Sequence, residues 1–163
     1  MTAERASNWI LTGSLENFRI NVERGFDVIG FKERRRRMAE EFEPRDEIFF
    51  YVTGVQAFGG IARVKSEMFE DRSRIWPGKK GKPEIYPWRV EAEPVLVLPE
   101  EQFVPAEELV PDLEHVRKWP LDHWHLAFQG QLRTIGEADA ELLRERVTRA
   151  AGSPAAEPTT AGA

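Results

Sequence analysis

Apolar and polar positions alternate along this chain in short runs that predict a mixed fold of strands and short helices. Continuous or period-two apolar runs, typical of β-strands, recur between turn residues. The predicted strands are residues 8–13, 46–54, 57–69 and 88–98, and a strand pair around Gln129-Gly130. Gly59 and Gly60, near the start of the third run, predict a bulge or a close approach of another backbone.

Three other segments have the caps and spacing of helices. The first follows Ser14, a favourable N-cap residue, and stops at Gly25. In the second, Phe31, Met38 and Phe42 share one stripe, which predicts a helix over residues 31–42 that Pro44 ends. The third is a closing amphipathic helix over residues 136–151, with Leu142, Leu143 and Val147 facing inward.

Strands broken by short helices, without regular βαβ alternation, predict the α+β class. We expect a small, strongly curved β-barrel of five to six strands flanked by short helices. No run is a clear edge strand, so we expect the sheet to close on itself. Residues 1–150 are predicted to form a single domain, and residues 151–163 a disordered low-complexity tail.

Composition restricts the chemistry and adds a charge asymmetry. The 163 residues include no cysteine, which excludes disulfides, cysteine–zinc sites and thiol nucleophiles. The start of the chain lacks the apolar core of a signal peptide, so a cytoplasmic protein is expected. The mildly acidic pI of 5.4 argues against a non-specific DNA coater, but residues 61–90 carry eight Lys and Arg against four acids, and residues 91–116 carry eight acids and no Lys or Arg.

A basic run, Lys32 to Arg37, places five cations in six residues and allows two interpretations. On a helix, Arg36 and Arg37 lie four residues before Glu40 and Glu41, which makes the run a self-paired solvated face. Alternatively, Lys32, Arg34 and Arg35 lie near the helix N-terminus, where a phosphate is also favoured.

Five tryptophans are the second signal. Trp9, Trp88 and Trp124 fall on predicted strands and are expected in the core. Trp76 lies instead in a long loop rich in Gly, Pro and Lys between Phe69 and Tyr86. Such a residue either packs locally or lines a site, where it would suit base stacking.

Metal and catalytic sets are weak. His123 and His125 would share one face of a predicted strand, but no cysteine or helical histidine pair supports a metal site. No glycine-rich phosphate loop or nucleophile motif is present. The sequence therefore predicts a binding protein with no metal and no cofactor, rather than an enzyme.

Four segments in order, "NWILTGSLENF", "EPRDEIFFYVTG", "FGGIARV" and "YPWRVEAEPV", resemble the EVE domain family of the PUA-like group, which is related to YTH domains. The resemblance spans about residues 8–147. It implies a small curved barrel that reads nucleic acid by flipping a modified base into an aromatic pocket.

The resemblance also implies roles for particular residues. Gly13 and Ser14 would contact the base edge, and Asn17 would either add a polar contact or stabilise the helix start. Phe26 and Phe31 stand where relatives place a cage aromatic, with Trp76 as the second wall. The implied phosphate-binding residues are Lys32, Arg34, Arg35 and Arg89.

Four functions follow as hypotheses. The first is a reader of a modified base, such as a methylated or hydroxymethylated one, in DNA or RNA. The second is a pocket for a free nucleoside-like molecule or metabolite, which would bind without the salt dependence of phosphate contacts. The others are a nucleic-acid-processing enzyme and an interaction module with an unused pocket.

Overall fold

The computed structural model describes residues 6–77 and 85–152. Its strands are β1 (Asn8–Gly13), β2 (Val28–Phe31), β3 (Glu47–Val52), β4 (Ala57–Val64), β5 (Phe69–Glu70), β6 (Trp88–Val97), β7 (Val104–Pro105) and β8 (Leu132–Ile135). Its α-helices are α1 (Leu15–Glu23), α2 (Arg36–Ala39) and α3 (Glu137–Gly152). Several 3₁₀ segments connect these elements, the longest being Leu121–Phe128.

The main sheet runs in the order β2-β6-β4-β3-β1-β8, and β5 and β7 add short pairs to β6 and β4. β1 and β3 are parallel, and the other pairs are antiparallel. The sheet curls into a half-barrel with short helices, so the predicted fold class is confirmed. The parallel pair matters for function because two adjacent strands end at the same edge of the sheet.

The predicted irregularity at Gly59-Gly60 is confirmed as a bulge. Phe50 pairs with Gly60 and Tyr51 pairs with Phe58, which leaves Gly59 as the extra residue. A Cβ on Gly59 would lie 2.8 Å from the rings of Phe18 and Phe103, so the close approach requires glycine there.

The sheet does not close on itself as the sequence interpretation expected, because β2 and β8 are its two edge strands. Within the described residues no ladder joins β2 to β8. Instead, the backbone N–H of Lys32, just after β2, donates to Gln131 Oε1 at 2.8 Å, just before β8. The backbone carbonyl of Gln131 accepts from the N–H of Thr12 on β1 at 2.8 Å. Gln131 therefore spans the seam of the half-barrel.

Two hydrophobic clusters fill the two sides of the sheet. One includes Trp9, which stacks on Phe42 with ring centroids 4.2 Å apart, and Trp88. The other lies under α3 and the 3₁₀ segments, and Leu143 and Val147 of α3 are buried in it. Both tryptophans are at most 5% exposed, as expected for core residues.

Two predicted elements are wrong. Residues 31–42 are not one helix, because Phe31 ends β2, residues 33–35 form a 3₁₀ turn and only Arg36–Ala39 is α-helical. The apolar stripe was real but reflects burial of Phe31 in a strand rather than a helical period. Only one of the two predicted ion pairs forms among the described residues, Arg36 with Glu40 at 3.1 Å.

The predicted strand pair around Gln129-Gly130 is also wrong in its first half. Residues 121–128 are 3₁₀-helical with a kink at His123, and only β8 follows as a strand. Trp124 is therefore half-buried beside the second cluster rather than on a strand.

Two predicted segments lie outside the described residues, the loop residues 78–84 and the tail from residue 153 onward. Within the described ranges, no helix combines the length and apolar character needed to cross a bilayer.

Candidate functional site

A cavity of about 630 Å³ opens at the carboxyl ends of β1 and β3, beside the seam between β2 and β8. Its volume lies in the range of ligand pockets, roughly 300–1,000 Å³. Among the predicted site residues, Gly13, Ser14, Asn17 and Trp76 line it, as do Lys32 and Arg34.

The polar wall of the cavity is formed by the end of β1 and the first turn of α1. Ser14 is the N-cap of α1, and its Oγ accepts from the N–H of Asn17 at 3.1 Å, which confirms the predicted helix start. The side chain of Asn17 does not cap the helix. Its Nδ2 donates to Tyr86 Oη at 3.4 Å, and its Oδ1 is buried without a partner among the described residues.

An unpartnered buried oxygen is costly, because desolvation of an amide oxygen is not offset by a hydrogen bond. A ligand that donates to Asn17 Oδ1 would remove that cost. The arrangement therefore suits a molecule with an N–H or O–H group at this depth.

The aromatic wall consists of Trp76 and Tyr86, whose rings meet edge to face at 5.9 Å. The indole N–H of Trp76 donates to Asn21 Oδ1 on α1 at 2.9 Å, which fixes the ring although it belongs to no regular element. Gly30 on β2 allows this position, since a Cβ there would lie 2.5 Å from Trp76 Cζ3. Tyr86 has a φ of 56°, an uncommon backbone conformation that orients its side chain here.

A second pair of rings, Tyr51 and Phe128, also lines the cavity. They stack with centroids 4.5 Å apart and an interplanar angle of 13°. Burial raises the pKa of the Tyr51 hydroxyl to about 12.

Cations stand at one side of the opening. Lys32 is half-buried and Arg34 is exposed, and neither forms an ion pair within the described residues. Arg35 lies behind them, with its Nη2 close to Gly130 and its buried Nε unpartnered. These residues precede α2 rather than capping a long helix, so the predicted contribution of a helix dipole is wrong, whereas the two free charges remain.

Three predicted site residues are corrected by their burial. Phe26 and Phe31 do not line the cavity and pack in the first cluster at 1% and 0% exposure, so they do not form a cage wall. Arg89 is 0% exposed, and its guanidinium donates to Tyr86 O at 3.0 Å and to Ser73 Oγ at 3.0 Å. It lies 5.2 Å from the Trp76 ring centroid and holds the aromatic wall instead of reaching a phosphate.

Desolvation lowers the pKa of Arg89, and the nearby Asp71 carboxylate, 3.4 Å away, partly opposes that shift. Arg89 is thus a structural cation that joins the loop around Ser73 to Tyr86.

The sequence interpretation missed many lining residues, among them Thr12, Tyr51, Tyr86 and Gln131. Thr12 Oγ1 donates to the carbonyl of Gly130 across the seam. Its position next to Gly13 was the one available signal, because it shares the end of the strand. Tyr86 gave none, since its orientation depends on a left-handed backbone before Pro87.

In the described part of the chain, no group of three or more metal-ligating side chains is assembled. His123 and His125 are not on a strand, and their rings lie 6.3 Å apart on the surface. The cavity offers aromatic rings for stacking, polar groups for hydrogen bonds and cations for anions, and these features suit the binding of a ligand.

Solved structures of similar fold cover most of this chain. The YTH domain-containing protein mmi1 in complex with RNA matches 90% of this chain and 83% of its own, with a TM-score of 0.63 and 10% identity. The YTH domain of Zygosaccharomyces rouxii MRB1, in complex with N6-methyladenosine RNA, matches 87% and 86%, with a TM-score of 0.60 and 15% identity. Human THYN1, in complex with 5-methylcytosine-containing DNA, matches 86% and 98%, with a TM-score of 0.54 and 15% identity.

A curated relative is similar in sequence. The UPF0310 protein PH1033 of Pyrococcus horikoshii is 27% identical over 147 residues, which cover 84% of this chain and 96% of that protein. The sequence model of the EVE domain matches residues 7–146, nearly the whole described chain. This protein therefore belongs to the EVE domain family.

Proposed function

We propose that this protein binds a nucleic-acid strand and holds one modified base, flipped out of the strand, in the cavity at the ends of β1 and β3. The observation that carries the proposal is the combination, in one cavity, of an aromatic wall, an unpartnered amide oxygen and free cations at the opening. Similar folds bind RNA, N6-methyladenosine RNA and 5-methylcytosine DNA, which supports a methylated base as ligand.

The interior suits the chemistry of a base. A flipped base is stabilised by stacking on aromatic rings and by hydrogen bonds along its edge. Trp76 and Tyr86 provide the rings, and Ser14 and Asn17 provide the polar edge. A methyl or hydroxymethyl group fills apolar surface that an unmodified base leaves uncovered.

The opening suits the backbone of the strand. Lys32 and Arg34 have no carboxylate partner within the described ranges, so both are available to phosphate oxygens. Arg35, with its unpartnered Nε beside Gly130, is the third candidate contact. We assign these three residues to phosphate binding.

The proposal describes a binding module rather than an enzyme. The hydroxyls of Thr12, Ser14 and Thr53 bond to backbone groups rather than to a general base. The cytoplasmic location expected from the sequence stays a prediction.

Calorimetric titration at physiological salt tests the proposal. Matched DNA and RNA strands would carry 5-methylcytosine, 5-hydroxymethylcytosine, N6-methyladenine or the unmodified base. We expect at least one modified strand to bind about tenfold more tightly than its unmodified match, equivalent to about 1.4 kcal/mol. Equal affinity for every modified and unmodified pair would overturn the proposal.

A substitution links that preference to the cavity. Trp76→Ala removes the main stacking surface and is expected to abolish discrimination between the modified and unmodified strands. Trp88→Ala is a poor control because it disrupts the core, so the matched control is Trp119→Ala, at a half-buried tryptophan that does not line the cavity. A Trp76→Ala protein that is folded by circular dichroism and retains full preference would contradict the assignment.

A free small molecule is the second candidate, because the cavity volume alone also fits a nucleoside or metabolite. Salt separates the two. A strand that contacts phosphate-binding cations loses affinity steeply as salt rises, whereas a neutral nucleoside loses almost none.

A further inference from the structure

We propose that His123, Trp124 and His125, here termed the stacking platform, bind the base of a nucleotide next to the one held in the cavity. This inference rests on the proposed function and extends it from one base to the neighbouring stretch of the strand. The platform would make the protein a reader of a single-stranded segment rather than of an isolated base.

A continuous series of rings leads from the cavity to the platform. Tyr51 and Phe128 border the cavity, and Phe128 lies 6.1 Å from Trp124, centroid to centroid. Trp124 lies 6.3 Å from His125, which in turn lies 6.3 Å from His123. Tyr51 and Phe128 are each 3% exposed, so the series runs beneath the surface and reaches solvent at Trp124 and the two histidines. We place the neighbouring base of the strand on these accessible rings.

The platform is accessible because its segment is not a regular helix. The kink at His123, where φ is −124° and ψ is 32°, separates two short 3₁₀ turns. Both histidines are exposed, and Trp124 is only half-buried. Neighbouring Leu121 is 70% exposed, more than Val22, Val55 and Val95, the other exposed large apolar residues of the described chain. Exposed rings of this kind are the surfaces on which unpaired bases stack.

Local charge favours a nucleic acid over an apolar or basic partner. Residues 115–133 carry three cations, Arg117, Lys118 and Arg133, against one acid, Asp122. Asp122 Oδ1 lies 3.1 Å from His123 Nδ1 and holds that ring. The preceding residues 91–114 carry eight acids and no Lys or Arg, so the positive balance of this part of the sequence begins at Arg117, six residues before His123.

The test compares a short ligand with a long one. One ligand is the modified nucleoside monophosphate, and the other is a single strand with the same modified base and several nucleotides on each side. The variant is the double substitution His123→Ala and His125→Ala, at two exposed side chains whose removal leaves the core intact. We expect affinity for the strand to fall roughly tenfold, while affinity for the monophosphate stays unchanged.

Leu121→Ala is the matched control, because it removes exposed apolar surface from the same segment without removing a ring. We expect this variant to bind the strand with the affinity of the wild-type protein. If Leu121→Ala weakens strand binding as much as the double variant, or if the double variant binds the strand normally, the platform is overturned. An equal loss with the monophosphate also overturns it, since the histidines would then act through the cavity.

Failure of the proposed function would look different. The wild-type protein would then bind modified and unmodified strands equally, and Trp76→Ala would leave strand binding unchanged. A double-histidine variant that lost strand affinity in that situation would support the stacking surface without the base pocket. Self-association that disappears in Leu121→Ala, with strand affinity unchanged in the double-histidine variant, would instead assign the surface to a second copy of the chain and overturn the platform.

Discussion

Both ends of the parallel pair β1 and β3 carry polar groups, but the two ends differ in how those groups are satisfied. At the amino end, Asp46 accepts three hydrogen bonds, from Ser7 N at 2.9 Å, Trp9 Nε1 at 3.0 Å and Glu43 N at 3.1 Å. Glu47 beside it pairs with Arg63 and Arg144 at 3.3 and 3.0 Å. At the carboxyl end, Asn17 Oδ1 has no partner among the described residues.

This difference separates stabilising groups from binding groups. Buried polar atoms in folded proteins are nearly always hydrogen-bonded, so the satisfied end is explained by stability alone. At the carboxyl end, the fold does not offset the desolvation cost of Asn17 Oδ1. A buried oxygen without a partner is expected where a ligand supplies the hydrogen bond. Substitutions at the two ends should therefore affect different measurements.

The largest expected effect is at the amino end. Asp46→Ala leaves three donors without an acceptor, and hydrogen bonds to charged groups contribute about 1.5–3 kcal/mol each. Because such contributions are not additive, we expect a loss of roughly 3–5 kcal/mol in the free energy of unfolding, measured by urea denaturation. Strand affinity of the folded fraction should not change.

Asp46→Asn is the matched control for that prediction. The amide oxygen can keep the two bonds made by Oδ2, from Trp9 and Glu43, and loses the one from Ser7. The expected loss is about a third of that of alanine. If Asp46→Ala lowers the free energy of unfolding by less than about 1 kcal/mol, the polar groups of the amino end do not stabilise the fold as proposed.

The fold was largely predictable from the sequence, because apolar residue types mark the buried positions of its strands. Continuous apolar runs identified β1, β3, β4 and β6, and Gly59-Gly60 identified the bulge. The error at residues 31–42 has a physical cause, since a phenylalanine buried by a strand and one buried by a helix look alike in a short apolar stripe.

The site was predictable only in part. Residues at the end of β1 lie in the cavity because the strand direction and the Ser14 cap place them there. Phe26, Phe31 and Arg89 were misplaced because type alone does not distinguish a ring in the core from a ring on a wall, or a buried arginine from a surface one. The left-handed backbone of Tyr86 and the bridge through Gln131 are long-range features that local pattern does not contain.

Two asparagines, one at each end of the strand pair, allow the same comparison with effects of moderate size on stability and affinity. Asn17→Ala at the carboxyl end removes a weak contact at 3.4 Å and an unsatisfied oxygen, so stability should change by less than about 1 kcal/mol. Affinity for the modified strand should fall about tenfold, because the base loses its edge partner. Calorimetry and thermal denaturation of the same preparation measure both quantities.

Asn8→Ala at the amino end is its counterpart. Asn8 is 6% exposed, and its Nδ2 donates to Glu137 Oε1 at 3.1 Å. We expect a loss of about 1 kcal/mol in stability and unchanged affinity. If both asparagine variants affect stability and affinity alike, the distinction between the two ends is lost.

The smallest expected effect concerns two arginines two residues apart near the opening. Arg34 lines the cavity without an ion pair among the described residues, whereas Arg36 pairs with Glu40 at 3.1 Å and lies 4.9 Å from the Trp88 ring centroid. Each phosphate contact adds about 0.7 to the slope of log affinity against log salt for a single strand. Arg34→Gln should therefore lower that slope by about 0.7 and weaken binding a few-fold for modified and unmodified strands alike. Arg36 is already paired with Glu40, so Arg36→Gln should leave the slope unchanged. Equal slopes for the two variants would mean that Arg34 does not contact phosphate.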